Sequence, residues 1–392
     1  KQQGRSGTLA LTENNNQLAA PRLRDFAAQG AVFAGLMQTL REGTFVHAYL
    51  ISGMRGVGKH TLARLMAQYI LCRGDKGDEP CGVCPSCVRM LDGTHPDVVR
   101  LLPEKDKKSI VVDQVRELVA LAEQAGVVHG VSFVYRQFAM VRQAASMMRA
   151  GSLGRLFASH GSYLQDWMLL ETDYNWRVDA ALGGASRAVA DIGSHWCDTV
   201  QYVTGRRITE VMADLSTVWP TRKASAGGHQ TFSHDEQAEY EDKPVTTEDF
   251  GSVLFRFDDG SKGSFSVSQV SAGRKNRLTF EINGSEQSVA WDQEIPQQLW
   301  VGHRARANQI LCDDPGLMNR DVADSAHFPG GHIEGWPDAF KNMMAQFYRA
   351  VQAGAMPDNP QFATFHDGAC VMYIIDAIMK SHQQQRWVRV EY

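Results

Sequence analysis

The stretch that most constrains this chain runs from Gly183 to Gly205, Gly-Gly-Ala-Ser-Arg-Ala-Val-Ala-Asp-Ile-Gly-Ser-His-Trp-Cys-Asp-Thr-Val-Gln-Tyr-Val-Thr-Gly. A glycine-rich turn feeds a helix. The Asp191 side chain can accept hydrogen bonds from the first free N–H groups and Gly205 supplies a stop, so a helix is expected over 192–204. Side chains four and seven residues apart share a helix face, which aims Asp191, His195 and Asp198 along one line and turns Trp196, Val200 and Val203 elsewhere. A carboxylate beside an imidazole of pKa near ~6.5 can do acid/base chemistry. An isolated Asp-x-x-x-His is usually a cap and a surface histidine, so the rest of the chain has to decide.

The 392 residues, 43% hydrophobic and 21% charged, suffice for two or three globular domains. A net charge of −4 gives no general pull toward nucleic acid or an anionic membrane. No apolar run is long enough to span a bilayer and the polar opening lacks a signal-peptide core, so a cytoplasmic location and no membrane partner are expected. Seven cysteines, four of them clustered, fit metal binding in a reducing compartment better than a disulfide framework.

Residues 1–31, rich in Gln and Asn at their start, read as a disordered lead. Apolar residues then recur at helical spacing from Val32 to Leu40, with a stop at Gly43. A short strand over 48–52 leads into Gly53-Met54-Arg55-Gly56-Val57-Gly58-Lys59-His60-Thr61 and a helix over 62–71. Strand, glycine loop and helix stand in the order of a P-loop, in which the amides at Gly53, Gly56 and Gly58 curl round phosphates and Lys59 reaches them. His60 replaces the hydroxyl that normally holds Mg²⁺, and Thr61 is one residue late. Weak ATP binding without turnover is the expectation. Cys72, Cys81, Cys84 and Cys87 come next, on a knuckle containing Gly and Pro, and four thiolates can close a tetrahedral Zn²⁺ site. The spacing alone also admits an iron–sulfur cluster.

The motifs His47-Ala48-Tyr49-Leu50, the glycine loop, Pro80 to Cys87 and Gly93-Thr94-His95-Pro96-Asp97-Val98 resemble the N-terminal part of the delta-prime clamp-loader subunits of bacterial DNA polymerase III, within the AAA+ class. The resemblance covers about a quarter of the chain, ends before the strand that carries Walker B acids, and lacks the lid and collar domains. It implies other clamp-loader subunits as partners. It gives way, inside an amphipathic helix over 113–125 stopped by Gly126, to a second one. A strand over 127–133 should come after that helix.

From there to the C-terminus the Gly-Gly…Asp-x-Gly-x-His-x-x-Asp signature resembles the Gfo/Idh/MocA oxidoreductases. That resemblance implies NAD(P), His195 as acid/base and Asp191 as its partner at a substrate hydroxyl. Polar and aromatic residues before the signature, Asp166, Trp176 and Arg177, suit a sugar or cyclitol. His332 lies in a Gly-Gly-His-x-Glu-Gly loop similar to the substrate loop of sugar-oxidising members. Period-2 patterns at 210–215, 250–257, 263–270, 277–283 and 287–291 describe an open antiparallel sheet whose far face, by the resemblance, makes a homo-oligomer contact. Residues 222–247 read as a mobile excursion between strands. Neither a G-x-G-x-x-G after a strand nor the family's Glu-Lys-Pro element is present.

The expected fold is therefore α/β and α+β. A truncated P-loop AAA+ module with a zinc knuckle occupies 32–119, and an α+β substrate domain with a large open sheet occupies 120–392. The expected function is the substrate and catalytic domain of a sugar- or polyol-type NAD(P)-dependent oxidoreductase, inactive as it stands. The alternatives are a delta-prime-like nucleotide-binding subunit and a join of two genes without selected function.

Overall fold

The computed structural model describes residues 21–44, 51, 58–98, 112–225 and 240–392. The chain divides into two compact units, 1–100 and 101–392.

In the first unit a 3-10 turn, Leu23–Gln29, precedes α1 (Gly30–Glu42), and α2 (Lys59–Leu71) and α3 (Pro85–Leu91) come after it. Phe33, Met37 and Leu40 recur on one face of α1 and share a core with Leu65, Met66 and Tyr69 of α2. Gly43, at φ 68, ends α1 where a side chain would be strained. The lead expected to be disordered over 1–31 needs correction at its far end. Leu23 is fully buried in that core, and the N–H groups of Leu23 and Arg24 donate to the Glu79 carboxylate at 3.0 and 2.9 Å. Residues 1–20 and most of the strand expected over 48–52 lie outside the described residues.

The second unit opens with α4 (Val112–Ala125), stopped by Gly126 at φ 62. It contacts the long α9 (Phe365–Gln384), where Arg116 Nε donates to the Tyr373 hydroxyl at 2.7 Å and its guanidinium lies 4.7 Å from that ring. The helix in which the two sequence resemblances meet is thus part of the second unit, and the division falls before it rather than at 119. The strand expected over 127–133 does not form. Val131 makes a single bridge to Ala363, and the chain turns at once into a 3-10 segment, Val134–Gln137, so no ladder extends from it.

Next come α5 (Ala139–Arg149), β1 (Leu156–Leu164), the short α6 (Ala180–Gly183), a π-helical turn (Val189–Gly193) and α7 (Ser194–Thr204). Most of the sheet lies beyond α7: β2 (Ile208–Ser216), β3 (Thr221–Ser225), β4 (Tyr240–Pro244), β5 (Phe250–Phe257), β6 (Lys262–Ser268), β7 (Arg277–Gly284), β8 (Ser288–Asp292), β9 (Gln298–Gly302) and β10 (Gln309–Cys312). The chain closes with α8 (Trp336–Ala353), α9 and β11 (Val388–Arg389).

Nine strands form one sheet in the order β10-β9-β8-β7-β1-β6-β5-β2-β11, in which the β1–β6 pair is parallel and the others are antiparallel. Strand β1 lies between β6 and β7, so the segment 269–276 bridges over its end. On β5 the residues Gly251, Val253, Phe255 and Phe257 are buried, whereas Ser252, Leu254 and Arg256 are exposed. The buried face packs on helices: Trp196 of α7 stacks on Phe265 at 4.4 Å and donates Nε1–H to the Thr279 carbonyl at 2.9 Å. The opposite face leaves Met212, Leu254 and Ile310 exposed. The expected excursion over 222–247 is ordered at its base, because β3 and β4 pair as a hairpin and Arg222 is fully buried; residues 226–239 lie outside the described residues. No helix among the described residues is long and apolar enough to cross a membrane.

Candidate active site and metal centre

The junction of the π turn and α7 sets the geometry around His195. Asp191 does not cap the helix as expected. It lies inside the π turn, whose i→i+5 bonding adds a residue to the coil and rotates the helix after it. Asp198, on α7 with His195, makes its bonds elsewhere. It is buried against Arg136, whose Nε and Nη2 donate to its two oxygens at 2.7 and 2.5 Å, and Arg136 also pairs with Asp367 at 3.0 Å. Gly205, at φ 63, ends α7 as the sequence required.

His195 projects among aromatic rings, with Tyr135 at 5.3 Å, Phe133 at 5.5 Å and Tyr163 at 6.4 Å between centroids, all edge-on. Its Nδ1 is buried and has no hydrogen-bond partner among the described residues. Burial alone pulls the imidazole pKa down to about 4, so the ring is neutral near pH 7. Asp191 accepts from the Gln269 amide at 2.8 Å and lies 3.7 Å from Arg177 Nε. Burial raises its pKa, opposed by Arg177, Gln269 and Arg187.

Three polar groups close a ring of hydrogen bonds beside the imidazole. The Tyr135 and Tyr163 hydroxyls are 2.5 Å apart, Tyr163 donates to Asn276 Oδ1 at 2.6 Å, and Asn276 Nδ2 donates back to the Tyr135 oxygen at 3.1 Å. Gln165 donates to the same Asn276 oxygen at 2.7 Å and accepts from Trp167 Nε1 at 2.7 Å. Burial raises both tyrosine pKa values, which keeps both hydroxyls protonated. Tyr135 and Tyr163 are both buried, so this ring of hydrogen bonds and the aromatic rings enclose one side of the imidazole.

Of the expected substrate residues, Arg177 is brought to Asp191. Trp176 is exposed, with the Arg177 guanidinium 4.7 Å from its ring. Asp166 accepts from Lys275 Nζ at 2.7 Å and Gly273 N–H at 3.0 Å, which fixes the bridge over β1. His332 is exposed and contacts Pro329 and Phe328 of its own loop, whereas Glu334 is the buried member, accepting from the His327 and Phe328 amides at 2.6 and 2.9 Å. Tyr135, Tyr163, Gln165, Gln269 and Asn276 were not anticipated. Tyr135 and Gln165 adjoin segments already singled out, but Gln269 and Asn276 come from the bridge and carry no local signal.

Below Asp191 lies a wholly buried charge cluster. Asp249 Oδ1 accepts from Arg187 Nη2 and, at 2.6 Å, from Arg222 Nη2, and all three side chains are inaccessible. Asp249 Oδ2 accepts from the Val218 and Trp219 amides at 2.7 and 3.2 Å. Arg187 Nη1 donates to Gln269 Oε1 at 2.8 Å, so the cluster reaches Asp191 through one glutamine.

In the first unit Cys72 caps the C-terminus of α2, Gly82 turns at φ 73, and Cys84 caps α3 ahead of Pro85. The Sγ atoms of Cys72, Cys81, Cys84 and Cys87 all lie within 4.8 Å of one another. Four sulfurs at ~2.3 Å from one tetrahedral ion would be about 3.8 Å apart, and Cys81 and Cys87 are separated by 3.9 Å. Amides point at the sulfurs, as anionic thiolates require: Cys81 N–H to Cys72 Sγ at 3.3 Å and Cys84 N–H to Cys81 Sγ at 3.4 Å. The Cys87 amide pulls the Cys84 thiol down to about 6, while burial pushes Cys87 up to about 12. The donor set fits a soft, four-coordinate cation. Of the phosphate-loop residues, Gly53 and Gly56 lie outside the described residues. Gly58, at φ 84, precedes α2, whose first turn contains Lys59 and Thr61, and His60 is exposed there.

The GFO/IDH/MocA C-terminal domain matches residues 141–290, and DNA polymerase III, delta subunit, matches residues 28–150. Levoglucosan dehydrogenase of Pseudarthrobacter phenanthrenivorans is 32% identical over 275 residues, 67% of each chain. The chain belongs to the Gfo/Idh/MocA family. A solved levoglucosan dehydrogenase in complex with NADH and levoglucosan superimposes with a TM-score of 0.61 at 26% identity, over 71% of each chain. The N-terminal part is similar to the DNA polymerase III subunit delta' of Escherichia coli, 31% identical over 155 residues, 40% of this chain and 45% of that subunit. The chain thus spans under half the length of that relative. The two matched regions overlap at 141–150, beyond the helix over 113–125 in which the sequence motifs meet.

Proposed function

We propose that the second unit is the substrate-binding and acid/base part of a sugar- or polyol-type oxidoreductase, with levoglucosan or an inositol representing the substrate class. One observation carries this reading: a neutral imidazole, His195, four residues after Asp191 and enclosed by the rings of Phe133, Tyr135 and Tyr163, the last two bonded to Asn276, which Gln165 also reaches. Oxidising a carbinol needs a base for the O–H proton, and His195 can accept it. Asp191, held by Gln269 and Arg177, orients the hydroxyl and stabilises the imidazolium that forms. Trp176 and Arg177 flank the entrance. His332 and Asp166 act through their loops.

NAD(P) would supply the hydride acceptor in such a reaction. The described residues do not fit it: the one parallel strand pair among them is β1–β6 inside the substrate sheet, and no described strand leads through a glycine turn into a helix to make a dinucleotide cradle. The chain alone is therefore expected to be inactive as a dehydrogenase. Incubation with levoglucosan or inositol and NAD⁺ or NADP⁺ tests this. Steady NAD(P)H formation abolished by His195→Ala would overturn the inactivity and support the acid/base assignment.

In the first unit Cys72, Cys81, Cys84 and Cys87 would hold one Zn²⁺, whose role is to close the knuckle rather than to react. Gly58, Lys59 and Thr61, with Gly53 and Gly56, would bind ATP weakly without turnover, as suits a degenerate delta'-like module within the AAA+ class that docks on other clamp-loader subunits. An ATPase rate that vanishes in Lys59→Ala would contradict this. The open face of the sheet, with Met212 and Leu254 exposed, would pair with a second copy. Ultracentrifugation of Leu254→Asp should then show the monomer, and an unchanged sedimentation coefficient would exclude that contact. A cytoplasmic location accords with four thiols kept reduced for a metal.

A further inference from the structure

Gln269 opens the bridge over β1 and is wholly buried. Its backbone is fixed on both sides, the N–H donating to the Asp249 carbonyl at 3.0 Å and the carbonyl accepting from the Met168 amide at 3.0 Å. Its side chain stands between two groups of opposite charge. Oε1 accepts from Arg187 Nη1 and Nε2 donates to Asp191 Oδ2, both at 2.8 Å. A guanidinium has only donors, so the amide oxygen must face Arg187 and the NH₂ must face Asp191. Arg187 cannot turn to permit the flipped amide. It is inaccessible, its Nη2 is on Asp249, and Asp249 is held in turn by Arg222 and the Val218 and Trp219 amides. The orientation of the Asp191 carboxylate is thus set by a buried charge pair, through one amide.

A donor against Oδ2 requires that oxygen to be unprotonated, and a hydrogen bond to the charged form favours ionisation. Oδ1 is differently placed. Arg177 Nε is 3.7 Å from it, beyond hydrogen-bond length, and the Arg177 and Asp191 side chains are 38% and 32% exposed. Among the described residues no hydrogen-bond donor is on Oδ1. Asp191 therefore has one acceptor to offer, and only a group with a proton to give completes it. We propose that Gln269 is a positioning residue, which holds Oδ2 and presents Oδ1 as an acceptor alone, so that the site takes a carbinol hydroxyl and discriminates against the carbonyl oxygen of the matching ketone. This rests on the reading of Asp191 and His195 as the substrate-facing pair. A ketone oxygen at Oδ1 brings no proton and leaves the anion unpaired, which is worse than a missing contact.

The role of Gln269 is readable without substrate or cofactor. The full chain, isotope-labelled at the aspartate carboxyl carbons, is titrated by NMR, and the Asp191 resonance is identified by its loss in Asp191→Asn. Gln269→Leu removes the donor and should raise the proton affinity of Asp191 about tenfold or more, the effect of one hydrogen bond to a charged group. Gln269→Glu keeps the shape and the partner of Arg187 but sets an acceptor against Oδ2, so one proton must lie between two carboxyls and the affinity should again rise about tenfold or more. Should Gln269→Leu not fold, the near-isosteric Gln269→Glu decides alone. An Asp191 midpoint that stays at the parent's value in either folded variant would overturn the proposal. Calorimetry tests the discrimination: inositol should bind the parent about tenfold more tightly than its monoketone, and Gln269→Leu should narrow that ratio. An equal ratio in parent and variant would remove the preference for a carbinol. Shifted titrations with no inositol binding at all would uphold the positioning of Asp191 and sink the substrate reading instead.

Discussion

Asp249→Asn removes one charge from a place where nothing can replace it. The carboxylate, Arg187 and Arg222 are all inaccessible, and Asp249 accepts two guanidinium and two amide hydrogen bonds. Burial already pulls the Arg222 pKa below its ordinary value, and Asp249 is the main group resisting that. An asparagine keeps the shape but offers one acceptor oxygen, and its amide nitrogen would meet N–H donors. Breaking one buried pair costs about 3–5 kcal/mol; with two guanidiniums stranded, about 5 kcal/mol is expected. For a domain of this size each kcal/mol shifts the melting temperature by about 2–4 °C, so the transition of the second unit should fall by about 10–20 °C in calorimetry. Glu210→Gln is the matched control, because the Glu210–Arg256 pair lies partly exposed on the sheet's outer face and is expected to contribute at most about 1 kcal/mol. A calorimetric loss in Asp249→Asn no larger than in Glu210→Gln would refute the view that this cluster is dry and fully charged.

The imidazole of His195 predicts a pH dependence. Its folded pKa of about 4 lies below the unfolded ~6.5, so the unfolded chain binds the extra proton, and about 3 kcal/mol of stability present at neutral pH is lost as pH falls through that window. Urea midpoints of His195→Asn should show a shallower fall between pH 7 and 4.5; identical slopes would contradict the assignment. Gly161→Ala should destabilise by about 1–3 kcal/mol or more, since its Cβ would overlap the Thr279 carbonyl oxygen and come within 2.9 Å of Trp196 Nε1; a melting temperature equal to the parent's would show that β1 and β7 can separate freely. Purified protein should contain one zinc per chain, and chelation, or Cys84→Ser with Cys87→Ser, should lower the transition of the first unit and leave that of the second in place. Zinc retained by the double substitution would remove the four-cysteine assignment.

Where periodicity was clean, the sequence was enough. The pattern at 250–257 coincides with β5, and the helix over 113–125 is recovered within a residue or two. Strand β1 escaped because Ser159, His160, Gly161 and Ser162 interrupt any apolar alternation, although it occupies the middle of the sheet. The hairpin of β3 and β4 escaped because Tyr-Glu-Asp-Lys-Pro is a polar sequence held by pairing rather than by burial. At the site, the closeness of Asp191 and His195 in the chain, four residues apart, was legible. Their supports were not, since Gln269 stands 78 residues from Asp191 and Asn276 stands 141 from Tyr135, and only the bridge brings them in. The π turn that takes Asp191 out of the capping position depends on packing that no local propensity reports.

The placement of β1 also fixes an order of events. It is synthesised long before β6 and β7, yet it must slide between them, so that neither a local hairpin nor any nascent half of the sheet can form the centre by itself. Closing so long a loop is a slow step by topology. The bridge that carries Gln269 and Asn276 can settle only once β1 has seated, as Gln165 at its end receives the Ser271 amide at 2.9 Å and gives its own to Ser268 at 2.7 Å. Completion of the surroundings of His195 is therefore expected to wait on β1, and the fluorescence of the aromatic rings around it would time that step.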